Sequence, residues 1–217
     1  MTAAVQIPPL TFDQFLDYND GTETLYELID GCPLAMPEPS RQHQSITRYL
    51  DRMFSDEIVK LGRLPLGGTA KQPWETVRNT AIRVPGRYLA DGRRPDLAIV
   101  NLPQSEVEQQ EKGIKTTPHM VIEIASSNWK DDLRDRIFAY LHLQVPEYWI
   151  VDYAGQIPEK YCERGRGVKT IVHTLRTVGR YGYDKQEFIG DEVIPCQTFE
   201  DLQLTTQQIL QLGKTSL

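Results

Sequence analysis

The sequence is short of several things at once. It has only three cysteines, Cys32, Cys162 and Cys196, far apart and never spaced as CxxC. That pattern excludes a disulfide framework and a CxxC-type zinc site, and the three read as ordinary thiols. No run approaches the roughly 18 apolar residues that a bilayer span requires. Met1 to Leu10 has neither a basic residue nor a continuous apolar stretch, so no secretory leader is expected. A cytoplasmic chain with no membrane partner is the expectation. The sequence also lacks GxSxG, HExxH, GxGxxG and GxxxxGKS/T, which leaves a small-molecule hydrolase or sugar enzyme on another α/β fold without support. Positive charge is in the minority, with 24 Lys and Arg against 30 Asp and Glu for a net −6. Taken whole, that is poor for binding nucleic acid through a general basic field.

What is present suits a folded α/β chain. The 217 residues are 40% hydrophobic and 25% charged, which fits one soluble domain over 1–217. The net charge hides a division. Residues 1–40 hold seven acidic residues and no basic one, whereas residues 41–100 hold eleven basic against six acidic. Residues 160–185 hold seven basic against two acidic. The two basic segments are either one patch or solvated charge on several faces, and linear counts leave both open.

Hydrophobic periodicity orders the elements. Thr11 opens a short helix with Phe12, Phe15 and Leu16 on one face. Leu25–Ile29 and Cys32–Met36 read as strands joined by an Asp30-Gly31 turn. Ser40 caps a helix carrying Ile46, Leu50, Met53, Phe54, Ile58 and Leu61, which Gly62 ends. Leu64 to Val84 is β-like and broken, Leu97–Val100 is a strand, and Leu102–Thr117 is a polar loop or short helix. Met120–Ala125, a helix over Asp131–Leu143 and a strand over Glu147–Asp152 form a strand–helix–strand unit long enough for a parallel crossover. Lys169–His173, Thr177–Tyr183 and Phe188–Ile194 look like antiparallel strands, and Thr205–Leu212 closes as a helix.

One residue stands against its surroundings. Glu123 lies inside the most apolar strand of the chain, where a carboxylate is costly unless solvated, paired or metal-bound. Asp96 heads the neighbouring strand, and carboxylates at adjacent strand ends could share a hard divalent cation. Around them runs an ordered series: Tyr26-Glu27-Leu28-Ile29-Asp30-Gly31, Pro37 to Ser40 with His43, Pro95-Asp96, and Val121 to Ser127 around Glu123. It continues with Asp132 and Tyr140 and ends in Val145-Pro146-Glu147-Tyr148-Trp149-Ile150-Val151-Asp152. This series resembles the PD-(D/E)XK nuclease superfamily, and within it a restriction-endonuclease family catalogued as a domain of unknown function; the resemblance implies a core over about 10–200.

The resemblance implies a restriction-endonuclease-like mixed β-sheet flanked by helices, here with a C-terminal antiparallel β extension. It implies that Asp96 and Glu123 bind Mg²⁺ or Mn²⁺ for hydrolysis of a phosphodiester in DNA, and self-association as a homodimer is common in the superfamily. Glu27 matches an acidic position near that site; a hairpin glutamate paired to an arginine is the equal alternative. The lysine that commonly follows the second acid by two residues is Ala125 here. The closer family places a lysine on the next helix, where this chain has Arg136, which cannot act as a general base but can hold a phosphate. An ion pair with Asp132 is the plainer reading of Arg136, and Lys130 is another candidate for the missing lysine. His43 is placed near the site by resemblance only, Tyr140 reads as a core tyrosine, and Trp74 and Tyr88 are too sparse for a base-stacking signature. A nuclease-like module that binds nucleic acid or protein without cleaving is the alternative that Ala125 and Arg136 support.

Overall fold

The structure, a computed structural model, describes residues 8–63, 73–86, 90–101, 112–126 and 129–215, with side chains to residue 211. Tyr88, residues 64–72 of the expected β-like stretch and residues 102–111 of the expected polar loop lie outside the described residues.

Helix α1 (Phe12–Leu16) begins at a reciprocal cap, in which Thr11 and Gln14 satisfy each other's backbone N–H groups. Strands β1 (Tyr26–Ile29) and β2 (Cys32–Ala35) pair antiparallel across Asp30 and Gly31, both at positive φ, which matches the twist of a two-residue hairpin. At Gly31 a Cβ would sit 2.5 Å from Cβ of Pro9, so this turn needs glycine for space as well as for φ. Helix α2 (Arg41–Lys60) is capped by Ser40, whose Oγ accepts from the His43 N–H at 3.1 Å.

The remaining strands are β3 (Trp74–Val77), β4 (Ile82–Val84), β5 (Asp91–Arg93), β6 (Leu97–Asn101), β7 (Met120–Ile124), β8 (Glu147–Asp152), β9 (Lys169–Leu175) and β10 (Tyr183–Phe188). They form a four-stranded sheet in the order β2-β1-β5-β4 and a six-stranded sheet in the order β10-β9-β8-β7-β6-β3. Only β7 and β8 run parallel in the larger sheet, as the strand–helix–strand spacing predicts. Its two faces carry separate cores. Leu97, Ile99, Met120, Ile122 and Trp149 face α2 with Ile46, Leu50 and Phe54, and the terminal helix α5 (Thr206–Thr215) packs beside α2. Ala98, Val100, Val121, Tyr148 and Ile150 face the crossover helix with Ala139 and Tyr140. Glu123 shares parity with Val121 and Ala125, so it points at the crossover helix.

That helix is not regular. It consists of α3 (Trp129–Asp131), a π-helical turn over Asp132–Arg136, and α4 (Ile137–His142). The C-terminal strands also differ from expectation. Only two form, β9 and β10, paired from Thr170↔Phe188 to Leu175↔Tyr183. The stretch expected as a strand from Thr177 is instead the hairpin loop, with Gly179 and Gly182 at positive φ. Gly190, also at positive φ, ends β10 where a further strand was expected, and Ile194 bonds Leu204 in an irregular segment.

Candidate functional site

Asp96 precedes β6 and Glu123 lies on β7, and the antiparallel pairing of these strands brings the two carboxylates together. The Asp96 N–H donates to Glu123 Oε2 at 3.4 Å, and the Ile124 N–H donates to Asp96 Oδ2 at 2.7 Å. The smaller sheet adds Glu27 from β1, because Leu28 pairs with Gly92 of β5 and sets Glu27 beside Arg93 and Arg94. Glu27 Oε1 accepts from the Arg94 N–H at 2.7 Å, and Glu27 Oε2 lies 3.4 Å from Arg93 Nη1. Of the alternatives for Glu27, the arginine-paired glutamate is the geometry observed.

Arg136 is the hub. Its Nη1 donates to Glu123 Oε1 at 2.6 Å, its Nη2 lies 3.0 Å from Glu27 Oε1, and its Nε lies 3.0 Å from Asp131 Oδ2 and 3.4 Å from Asp132 Oδ1. The expected pair with Asp132 is therefore its longest contact, and all three nitrogens are engaged by carboxylates. Tyr140 Oη donates to Glu123 Oε1 at 2.8 Å, so this tyrosine lies in the core and also reaches the cluster. Burial pushes Glu123 well above the ordinary carboxylate range. Arg136 opposes that shift, and Asp96, Asp132 and Glu27 add to it. Burial also raises Asp132 to about 7. Arg136 is disfavoured as a cation by its burial, yet the negative charge of Glu123 and Glu27 holds it protonated well above its usual range.

His43 reaches the cluster from α2, with Nε2 3.0 Å from Asp96 Oδ2. Lys130 does not reach it. This exposed lysine sits with Nζ 5.7 Å from the centre of the Trp129 ring, at the rim of the same cleft. The cleft encloses about 1820 Å³ between the β1–β2 hairpin, the start of α2, β3 and the π-helical turn. Among the described residues no group of three or more His, Cys, Asp or Glu forms a ready metal cage. The donor set is instead an oxygen pair: among the described residues Asp96 Oδ1 has no hydrogen-bond partner, and Glu123 Oε2 has only its long contact with the Asp96 N–H. Mg²⁺ typically takes one or two carboxylates and keeps several waters, so this pair fits a hard cation.

Sequence reasoning missed Arg93 and Asp131. Arg93 Nη1 lies 3.2 Å from Asp131 Oδ2 and links the smaller sheet to the π-helical turn. Neither carried a local signal: Glu27 faces Leu34 across its hairpin and meets Arg93 only through β5, and Asp131 has its partner Arg136 five residues on rather than four. Trp74, considered for base stacking, tilts onto His119 with centroids 4.1 Å apart and packs against Phe199. The three cysteines are free thiols, exposed at Cys32 and buried at Cys196.

A mixed sheet flanked by helices, with an acid pair brought together on neighbouring strands, defines the restriction-endonuclease-like fold. Residues 12–207 match the family model Uma2, described as "Putative restriction endonuclease", and the chain belongs to that family. The fold is similar to the crystal structure of a protein from Anabaena variabilis titled a putative nuclease belonging to DUF820. The TM-score is 0.67 at 17% identity, covering 94% of this chain and 99% of that one. No curated protein matches the chain. No described helix is long and apolar enough to cross a membrane.

Proposed function

We propose that the chain is a phosphodiester hydrolase acting on DNA with Mg²⁺ or Mn²⁺ held by Asp96 and Glu123. The observation that carries this reading is the excess of carboxylate at one point of the cleft. Among the described residues Glu27, Asp96, Glu123 and Asp131 gather, with the proton-holding Asp132, around two guanidinium groups, Arg93 and Arg136. Buried charge left unbalanced costs several kcal/mol per ion, and a divalent cation restores the balance.

A bound cation supplies acidification of a water and neutralisation of charge building on the phosphoryl oxygens. The chain's own residues set the stage for it. Asp96 and Glu123 would hold the ion, while Arg136 and Tyr140 bind Oε1 of Glu123 and keep its carboxylate from turning. Arg136, protonated and committed to carboxylates, is a positioning residue here and takes no proton. Lys130 at the rim supplies positive charge toward a phosphate.

Two measurements test the proposal. Asp96→Asn and Glu123→Gln should each abolish Mn²⁺ binding in calorimetry, and unchanged binding would sink the site assignment. Purified protein should cut plasmid or single-stranded DNA only with divalent metal; activity surviving in Asp96→Asn would point to a contaminant. A second reading, a binding module that does not cleave, is favoured by Ala125 in the lysine position and by the full engagement of Arg136. Cation binding without cleavage of any DNA form would select it.

A further inference from the structure

The imidazole of His43 is fixed unusually well for a residue at the mouth of a cleft. It lies in the first turn of α2, where its N–H donates to the Ser40 cap and its carbonyl accepts from Thr47 Oγ1 at 3.0 Å. The residue is 9% exposed. One ring nitrogen is used, since Nε2 lies 3.0 Å from Asp96 Oδ2. The other, Nδ1, is buried with no hydrogen-bond partner among the described residues. A buried polar atom without a partner costs stability and calls for an explanation where it occurs. A nitrogen bonded to a carboxylate oxygen carries a proton, so Nε2 is the donor to Asp96.

Asp96 Oδ2 thereby receives two donors, the Ile124 N–H at 2.7 Å and the His43 ring. Oδ1 is the oxygen left for another partner. With the Ile124 contact alone, rotation about the Cβ–Cγ bond would exchange the two oxygens. We propose that His43 is a positioning residue for the cation site, locking the Asp96 carboxylate so that Oδ1 is presented to the ion. This deepens the function proposed above and rests on it. His43 is not itself a ligand in this arrangement, because Nε2 is spent on Asp96 and Nδ1 is enclosed. Holding a ligating carboxylate by an outer hydrogen bond typically changes metal affinity by about 10–100-fold.

The test is Mn²⁺ calorimetry on the full chain with two polar substitutions. In His43→Gln the side-chain amide reaches about as far as Nε2 and can still donate to Asp96, whereas in His43→Asn it stops near the position of Nδ1. The expected result is a loss of about 10–100-fold in affinity for His43→Asn and near-normal affinity for His43→Gln. An equal loss in both would make His43 a direct ligand, and normal affinity in both would make it merely structural; either overturns the proposal. If the unsubstituted protein binds no Mn²⁺, the functional reading above fails and takes this inference with it. A readout independent of metal is nitrogen-15 NMR of the imidazole in the metal-free protein, where the Nε2–H tautomer is expected and an Nδ1–H tautomer would overturn it.

Discussion

Tyr140 donates its hydroxyl to Glu123 from a ring with no solvent exposure, and burial raises its own ionisation well above the usual range, so it remains a donor at any working pH. Tyr140→Phe deletes that bond while keeping the ring. It should cost about 1.5–3 kcal/mol in urea unfolding, the range for a hydrogen bond to a charged group. Asp132 gives the opposite outcome. Its carboxyl holds a proton to about pH 7 in the folded chain, against an ordinary value of 3.8. The folded state therefore binds more protons across that interval, and stability falls as pH rises through it. Asp132→Asn should raise the melting temperature at pH 8 and change it little near pH 4; a lower melting temperature at pH 8 would show the charged form to be the stabilising one. Glu123 was legible in the sequence because a lone acid interrupts an apolar strand. Arg93 was not, because charged residues on both sides of Gly92 look like surface and not like the three buried positions of β5.

Among the elements, the π-helical turn has the largest effect on the site. Its wider winding sets Asp131 and Arg136 side by side at a spacing of five and aims the guanidinium at both sheets. Lysine there would keep the charge but replace a planar fork by a single point. Arg136→Lys should therefore lose at least one charge-assisted bond, about 1.5–3 kcal/mol by urea midpoint, whatever it does to cleavage. Hydrophobic period alone reads this segment as plain α-helix, since one extra residue in a turn leaves the apolar face nearly intact. The β1–β2 hairpin, α2 and the crossover unit were legible because their apolar spacing and caps agree. The last strands were not, because alternation through Thr177–Tyr183 resembles β while glycines at 179 and 182 turn the chain. The β9–β10 hairpin carries its own pH signature. Burial depresses His173 from 6.5 to about 4, so it stays neutral where the unfolded residue charges. Glu187 is buried, which works against its charge, yet Lys185, backbone N–H groups of Arg164 and Glu163, and Lys169 bring it from 4.5 to about 2. In both cases the unfolded chain takes up protons first as pH falls. His173→Phe should flatten the loss of stability between about pH 6.5 and 4, and Glu187→Gln the loss below about pH 4.5, both followed by thermal melts.

Across the whole molecule, several cations of the two basic segments are taken up by the protein's own carboxylates. Arg164 pairs with Glu192 at 2.8 Å, Lys169 with Glu187 at 3.2 Å and Lys185 with Glu187 at 2.7 Å, while Arg93 and Arg136 turn inward to the acid cluster. Local pairing of this kind offsets part of the excess positive charge of residues 160–185 with Glu187 and Glu192 from outside that segment, and the linear charge count could not show it. If the carboxylate pair takes a cation, Mn²⁺ at 100 times its dissociation constant should stabilise the fold by about 2.7 kcal/mol. A single calorimetric transition that moves up with Mn²⁺ in the unsubstituted chain, and stays fixed in Asp96→Asn, is the expected record for one cooperative unit; two separate transitions would divide the chain. The seam between the two sheets sets an order of events as well as a geometry. The contacts that close the cluster join residues 67 apart from Glu27 to Arg94, 27 apart from Asp96 to Glu123, and 13 apart from Glu123 to Arg136. A nascent chain that has not yet emerged past Arg136 lacks the guanidinium that ties Glu27 to Glu123, so the two sheets are locked together at the cluster only late in synthesis.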